Sequence, residues 1–142
     1  MRVLAIESSC DETAAAVVEA PRRVLSEVIH TQDVHVRFGG VVPEIASRAH
    51  VEQVVPTVRA ALAAANVSRP DVVAATASPG LVGAVLVGLS FARAAALGWG
   101  VPFVPVDHLE GHLLSATLEE AGPSFPFLSL VAQQLSGAIY GA

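Results

Sequence analysis

Arg2-Val3-Leu4-Ala5-Ile6-Glu7-Ser8-Ser9-Cys10-Asp11-Glu12-Thr13-Ala14-Ala15-Ala16-Val17-Val18 is the stretch that decides the fold. Its two ends are apolar and rich in β-branched residues, and the middle, Ser8 to Glu12, is a polar turn. Arg2 to Glu7 therefore reads as a buried strand and Thr13 to Val18 as the strand that returns beside it. Val24 to His30 alternates apolar and polar residues as a third. Three strands joined by tight turns make an antiparallel meander.

Beyond the meander the period changes. A Gly39-Gly40 loop leads to Pro43, a residue suited to the first helical turn. From Pro43 to Ala65, Ile45, Ala49, Val55, Val58 and Leu62 recur at helical spacing. Pro56 lies inside this span and is expected to break or kink it into two helices. Asp71 to Ala77 is a continuous apolar run, the pattern of a strand covered on both faces. Ser78-Pro79-Gly80 then turns into a helix over Leu81 to Leu97. Phe103 to Val106 reads as the next strand, His108 to Ala121 as the next helix and Phe125 to Val131 as a closing strand. The order βββαβαβαβ describes an α/β chain with a mixed sheet and helical crossovers. That order fits the ribonuclease-H-like lobe of actin-like and Hsp70-like ATPases.

The chain has 142 residues, 53% of them apolar, enough for one domain with a real core. Its net charge is −5 and all eight basic residues are arginines, so it exerts no bulk pull on nucleic acid. The longest uncharged apolar run, Pro79 to Ala92, is about 14 residues, short of the ~20 that span a bilayer. The first residues enter a strand with no signal-peptide pattern. A single cysteine, Cys10, forms no internal disulfide and favours a reducing compartment. The expectation is a soluble cytoplasmic protein.

His108 and His112 are four residues apart, so on a helix they project from one face about a turn apart. Two imidazoles at that spacing can share a divalent metal, although such a pair can also simply face solvent. The pair opens a helix at the carboxyl end of a strand, where open α/β folds place ligands, and Asp107 precedes it as an N-cap. Glu110 falls roughly 200° around the helix from His108, at ~100° per residue, unlike the glutamate of a zincin motif. A peptidase mechanism thus lacks its base, and two histidines need at least one further ligand.

Four stretches carry a family resemblance: Ile6 to Thr13, Gly39 to His50, Ser78 to Gly83, and Asp107-His108-Leu109-Glu110-Gly111-His112. In this order they resemble the TsaD/YgjD family, once labelled O-sialoglycoprotein endopeptidases, and the second stretch is closest to its bacterial branch. The resemblance implies transfer of a threonylcarbamoyl group from its adenylate to N6 of adenosine 37 in tRNA. It implies two ribonuclease-H-like lobes with the adenylate, or ATP, between them. It makes His108 and His112 two ligands of one iron or zinc ion, whose third protein ligand, an aspartate, lies in the second lobe. It matches Asp11 and Glu12 to catalytic residues, although a solvated acidic turn would look the same. Glu44, Arg48 and His50 are ranked lower as near-substrate residues, and Glu44 with Arg48 can equally be a helical ion pair. Implied partners are tRNA, the non-catalytic paralogue TsaB and the ATPase TsaE.

Gly80, Ala84, Gly88, Ala92 and Ala96 fall at successive i+4 positions and make a helix face almost without side chains. Such a face admits close approach of another backbone. Either it packs within its own lobe, or it is the interface for the paralogue or for a second copy, in which case Ala92→Trp abolishes pairing and leaves the fold intact. After Val131 the sequence departs from the family. Where a Ser-Gly-Gly-His-Thr phosphate loop is expected, residues 132–142 form a divergent tail. The reading is a lobe over residues 1–131 with no second lobe, inactive alone and prone to associate. A non-catalytic dimerisation module is the alternative, and a metallopeptidase the less favoured one.

Overall fold

A computed structural model describes residues 1–33, 35, 39–119 and 121–131. The expected meander is present as β1 (Arg2–Glu7), β2 (Glu12–Glu19) and β3 (Arg23–Thr31). β1 pairs antiparallel with β2, Leu4 opposite Val17 and Ile6 opposite Ala15, and β2 pairs antiparallel with β3. Leu4 and Val17 are wholly buried, so the alternation of the opening stretch places one face of the hairpin in the core.

α1 (Pro43–Ala64) leads from the meander to β4 (Val72–Ser78), α2 (Val82–Trp99) to β5 (Phe103–Asp107), and α3 (His108–Ser115) follows β5. β4 inserts parallel to β1, and β5 parallel to β4, giving the five-stranded order β3-β2-β1-β4-β5. α1 lies across β2 and β3, α2 across β4 and β1, and the two helices pack on each other. Val54, Val58 and Ala61 of α1 and Ala92 and Ala96 of α2 close a core over Leu4, Ile6, Val73 and Ala75. Gly100, in the left-handed region at φ 63°, ends α2, its N–H donating to the Leu97 carbonyl.

Four sequence expectations are corrected. α1 runs unbroken through Pro56. Pro56 and Glu52 both lie on the exposed side, where water can satisfy the Glu52 carbonyl that the proline leaves without a donor. α3 stops at Ser115, not near Ala121, and passes into a 3-10 turn over Ala116–Leu118. The Ser115 hydroxyl donates to the His112 carbonyl and the Thr117 hydroxyl to the Leu114 carbonyl, competing with helical bonds. Residues 125–131 form no strand. Phe125, Leu128 and Leu130 are 66%, 99% and 92% exposed, and an apolar run becomes a strand only beside a ladder partner.

The fourth correction concerns the small-residue face. Ala84, Gly88, Ala92 and Ala96 are buried inside the lobe, and Gly80 lies in the turn before α2. A Cβ on Gly80 would sit 2.7 Å from Ser9 Cβ and 2.8 Å from the Ser9 carbonyl oxygen. The Ser8 hydroxyl donates to the Ala84 carbonyl (2.8 Å) and accepts from Gly88 N–H (3.2 Å). The face is small because the Ser8-Ser9 turn docks on it, which leaves no room there for a partner. The expected divergent tail, 132–142, lies outside the described residues.

Candidate functional site

β1, β4 and β5 are parallel to one another, so their carboxyl ends meet along one edge of the sheet. The Ser8–Asp11 turn leaves that edge from β1, the Ser78–Leu81 turn from β4 and α3 from β5. Leu81 N–H donates to the Ser9 carbonyl at 2.8 Å and ties the first two turns together. Asp107 caps α3 as expected, its Oδ1 accepting from the N–H groups of Leu109 (2.9 Å) and Glu110 (3.2 Å).

The two histidines do come together. Their rings meet edge to face, and the two Nε2 atoms are 3.1 Å apart. Two imidazole nitrogens on one tetrahedral zinc, each at ~2.0–2.1 Å, would be separated by roughly 3.3 Å, so the pair is already near ligand spacing. At that distance one Nε2–H donates to the other ring's Nε2. Among the described residues no cluster of three or more His, Cys, Asp or Glu side chains completes a coordination shell. The residues present fit half of a metal site, with two nitrogen donors.

Glu7, which sequence reasoning passed over, lies directly behind the pair. Its Oε1 accepts from Ser9 N–H (2.5 Å), and its Oε2 accepts from the Thr76 hydroxyl and lies 3.4 Å from His108 Nδ1. Ser9 Oγ is 3.2 Å from the same Nδ1. Burial pushes the Glu7 pKa up, but hydrogen bonds from Ser9 and Thr76, with the nearby His108, outweigh it and hold the carboxyl below its ordinary value. A signal was present in the sequence: an acidic residue that ends an otherwise apolar buried strand needs a partner.

Asp11 and Glu12 sit on the same turn, Asp11 half-buried and Glu12 exposed. Gln32 N–H donates to the Asp11 carbonyl (3.1 Å), and the Thr31 hydroxyl donates to Glu12 Oε1 (3.2 Å). Cys10, just before them, is an exposed residue, but partial burial of its thiol and the Asp11 carboxylate raise its pKa to about 11, so it stays protonated at neutral pH.

His50 stands apart from the near-substrate role expected of it, because it is 0% exposed. Its Nε2 lies 3.1 Å from the Cys10 carbonyl, which can only accept, so Nε2 carries the proton. Nδ1 then accepts from the Thr13 hydroxyl at 2.8 Å. Val42 N–H donates to His35 Nδ1, His35 Nε2–H donates to Gln32 Oε1, and the Gln32 amide donates to the Ala46 carbonyl. This closed network pins the acidic turn to α1 from below. Burial, outweighing the Cys10 carbonyl, holds the His50 pKa below its ordinary value. Glu44 and Arg48 form an exposed i,i+4 ion pair at 2.9 Å.

Comparison with known proteins agrees with these motifs. The family model described as TsaD, tRNA N6-adenosine threonylcarbamoyltransferase, matches residues 23–142. A curated tRNA N6-adenosine threonylcarbamoyltransferase of Anaeromyxobacter dehalogenans (strain 2CP-1) is 58% identical over 99% of this chain and 43% of its own length. That of Anaeromyxobacter sp. (strain Fw109-5) is 57% identical over all of this chain and 44% of its own length. The chain thus spans less than half the length of these relatives. Among solved structures, YeaZ from Pseudomonas aeruginosa superposes with a TM-score of 0.63 at 18% identity, covering 82% of this chain and 49% of that one. Thermus thermophilus RuvC in complex with a Holliday junction substrate gives 0.50 at 18% identity, over 84% and 73%. At such identities these two show the fold alone, which is the ribonuclease-H-like lobe.

Proposed function

Because the chain belongs to the TsaD family of tRNA N6-adenosine threonylcarbamoyltransferases, we propose that it is the metal-holding lobe of such an enzyme. The reaction moves a threonylcarbamoyl group from its adenylate to N6 of adenosine 37 in tRNA, in the cytoplasm. The adenylate, or ATP, would lie between this lobe and a second one. The observation that carries the reading is the convergence of His108 and His112 Nε2 at 3.1 Å beside the Asp11–Glu12 turn.

His108 and His112 would hold the divalent ion, iron or zinc, with a third ligand from outside the described residues. Bound there, the ion supplies a Lewis acid that draws electron density from an acyl carbonyl. Asp11 and Glu12 provide carboxylates at the same edge to orient the attacking adenine amine and take up its proton. The Ser8-Ser9 turn, locked to α2, leads into these carboxylates, and its Ser9 Oγ lies 3.2 Å from His108 Nδ1.

The test joins residues 1–131 to the remaining length of the Anaeromyxobacter dehalogenans relative and follows threonylcarbamoyl transfer to unmodified tRNA. The fused protein is expected to modify tRNA, and His108→Ala/His112→Ala is expected to lose that activity. A folded double variant that transfers as fast as its parent would refute the metal assignment.

A separate observation favours a role in pairing as well. Val82, Leu86 and Leu97 are 85%, 58% and 83% exposed on the outward face of α2, and Val51 of α1 is 62% exposed. An apolar surface of this kind marks a protein contact. It supports assembly with the non-catalytic paralogue TsaB, with TsaE joining the same complex, through the side of α2 opposite the small-residue stripe. Leu86→Glu should prevent co-purification with the paralogue and leave the lobe folded; unchanged pairing would remove this surface from consideration.

A further inference from the structure

We propose that Glu7 is a positioning residue that fixes His108 as a metal ligand through Nε2. The inference rests on the metal reading of the histidine pair and goes beyond it, since it concerns what orients the ligand.

The Glu7 carboxylate is held in place by the Ser9 N–H and the Thr76 hydroxyl, one from the turn after β1 and one from the neighbouring strand β4. Both are donors, so the carboxylate stands ionised and presents acceptor lone pairs on its remaining side. On that side lies His108 Nδ1, 3.4 Å from Oε2. An imidazole nitrogen without a proton would face a carboxylate lone pair to lone pair. Nδ1 therefore carries the proton, whichever role the Ser9 hydroxyl plays at 3.2 Å. In the neutral ring this leaves the lone pair of Nε2 directed toward His112 Nε2, 3.1 Å away.

Glu7 thus does two things to the pair: it selects the tautomer, and it fixes the rotation of the His108 ring. Its own anchoring on β1 and β4 explains why this matters here: α3 buries no residue, so packing alone does not orient the ring.

The test is zinc binding by the 142-residue chain at neutral pH, measured calorimetrically for the parent, Glu7→Gln and His108→Ala/His112→Ala, with circular dichroism as the folding control. The double variant should lose binding, and Glu7→Gln should bind about 10–100-fold more weakly. If the double variant binds as the parent does, the metal reading itself fails. If only the double variant is impaired and Glu7→Gln matches the parent, the positioning role fails while the metal site stands. Should Glu7→Gln not fold, nitrogen-15 spectra of the parent decide. A His108 ring protonated at Nδ1, with zinc shifting its Nε2 resonance, supports the proposal. A ring protonated at Nε2 overturns it.

Discussion

Helices α2 and α3 both begin where a parallel strand ends, yet they are held in opposite ways. α2 buries Ala84, Val85, Gly88, Ala92 and Ala96, and its backbone accepts the Ser8 hydroxyl between two turns. α3 buries no residue at all and is fixed by the Asp107 cap and the contacts of His108 with Glu7 and Ser9. Close packing makes the first helix a rigid floor for the turn that carries Asp11 and Glu12. Polar contacts make the second a lightly held bracket for the histidines, the kind of element that opens locally at low cost. One side of the site is set by core packing, the other by a few hydrogen bonds.

The largest expected effect lies on the packed side. Ala92 is 0% exposed, so Ala92→Trp forces an indole into a filled core, well beyond the ~1–3 kcal/mol cost of a few extra methylenes. The variant should lose cooperative unfolding in urea. A folded variant that merely changes its oligomeric state would restore the interface role first expected for the stripe.

The next effect concerns the network beneath the acidic turn. His50 is held neutral in the fold, with a pKa below its ordinary ~6.5, so the unfolded chain binds more protons below that pH. Its contribution to stability is present above the unfolded pKa and is lost as pH falls toward the folded one. Thermal midpoints should therefore decline from pH 7 to pH 5, and His50→Gln should flatten that decline. An equally steep decline in the variant would remove His50 as the cause.

On the lightly held side the effects shrink and become local. Asp107→Ala removes the cap and should cost α3 about 1 kcal/mol. Amide exchange at Leu109 and Glu110 should quicken while the global urea midpoint stays put; a falling midpoint would show α3 to be part of the cooperative core. Smallest of all, Arg48→Gln breaks an exposed i,i+4 pair worth about 0.2–0.5 kcal/mol, near the limit of a urea titration. A loss above 1 kcal/mol would mean that the pair does more than sit on the surface.

The same contrast explains what the sequence revealed. The meander, the parallel strands and the helices between them were legible because buried strands and amphipathic helices impose a period on their residues. Pro56 misled because periodicity does not report which carbonyl water can reach. Residues 125–131 misled because a strand depends on a neighbour that its own pattern does not encode. At the site, His108 and His112 were legible from their spacing after an apolar strand, and Asp107 from its place before them. Glu7 was missed because its partners, Thr76 and His108, are 69 and 101 residues away in the chain. The small-residue stripe was correctly read as a close-approach face, but the approaching backbone proved to be the chain's own Ser8-Ser9 turn.

X-ray absorption at the zinc edge, on the chain loaded with less than one equivalent of zinc, tests most directly whether this sheet edge is half of a metal site. Two imidazole nitrogens per zinc at about 2.0–2.1 Å are expected, with the rest of the shell oxygen, and the imidazole scattering should be lost in His108→Ala/His112→Ala. A shell without imidazole in the parent chain, or one unchanged in the double variant, would contradict that reading.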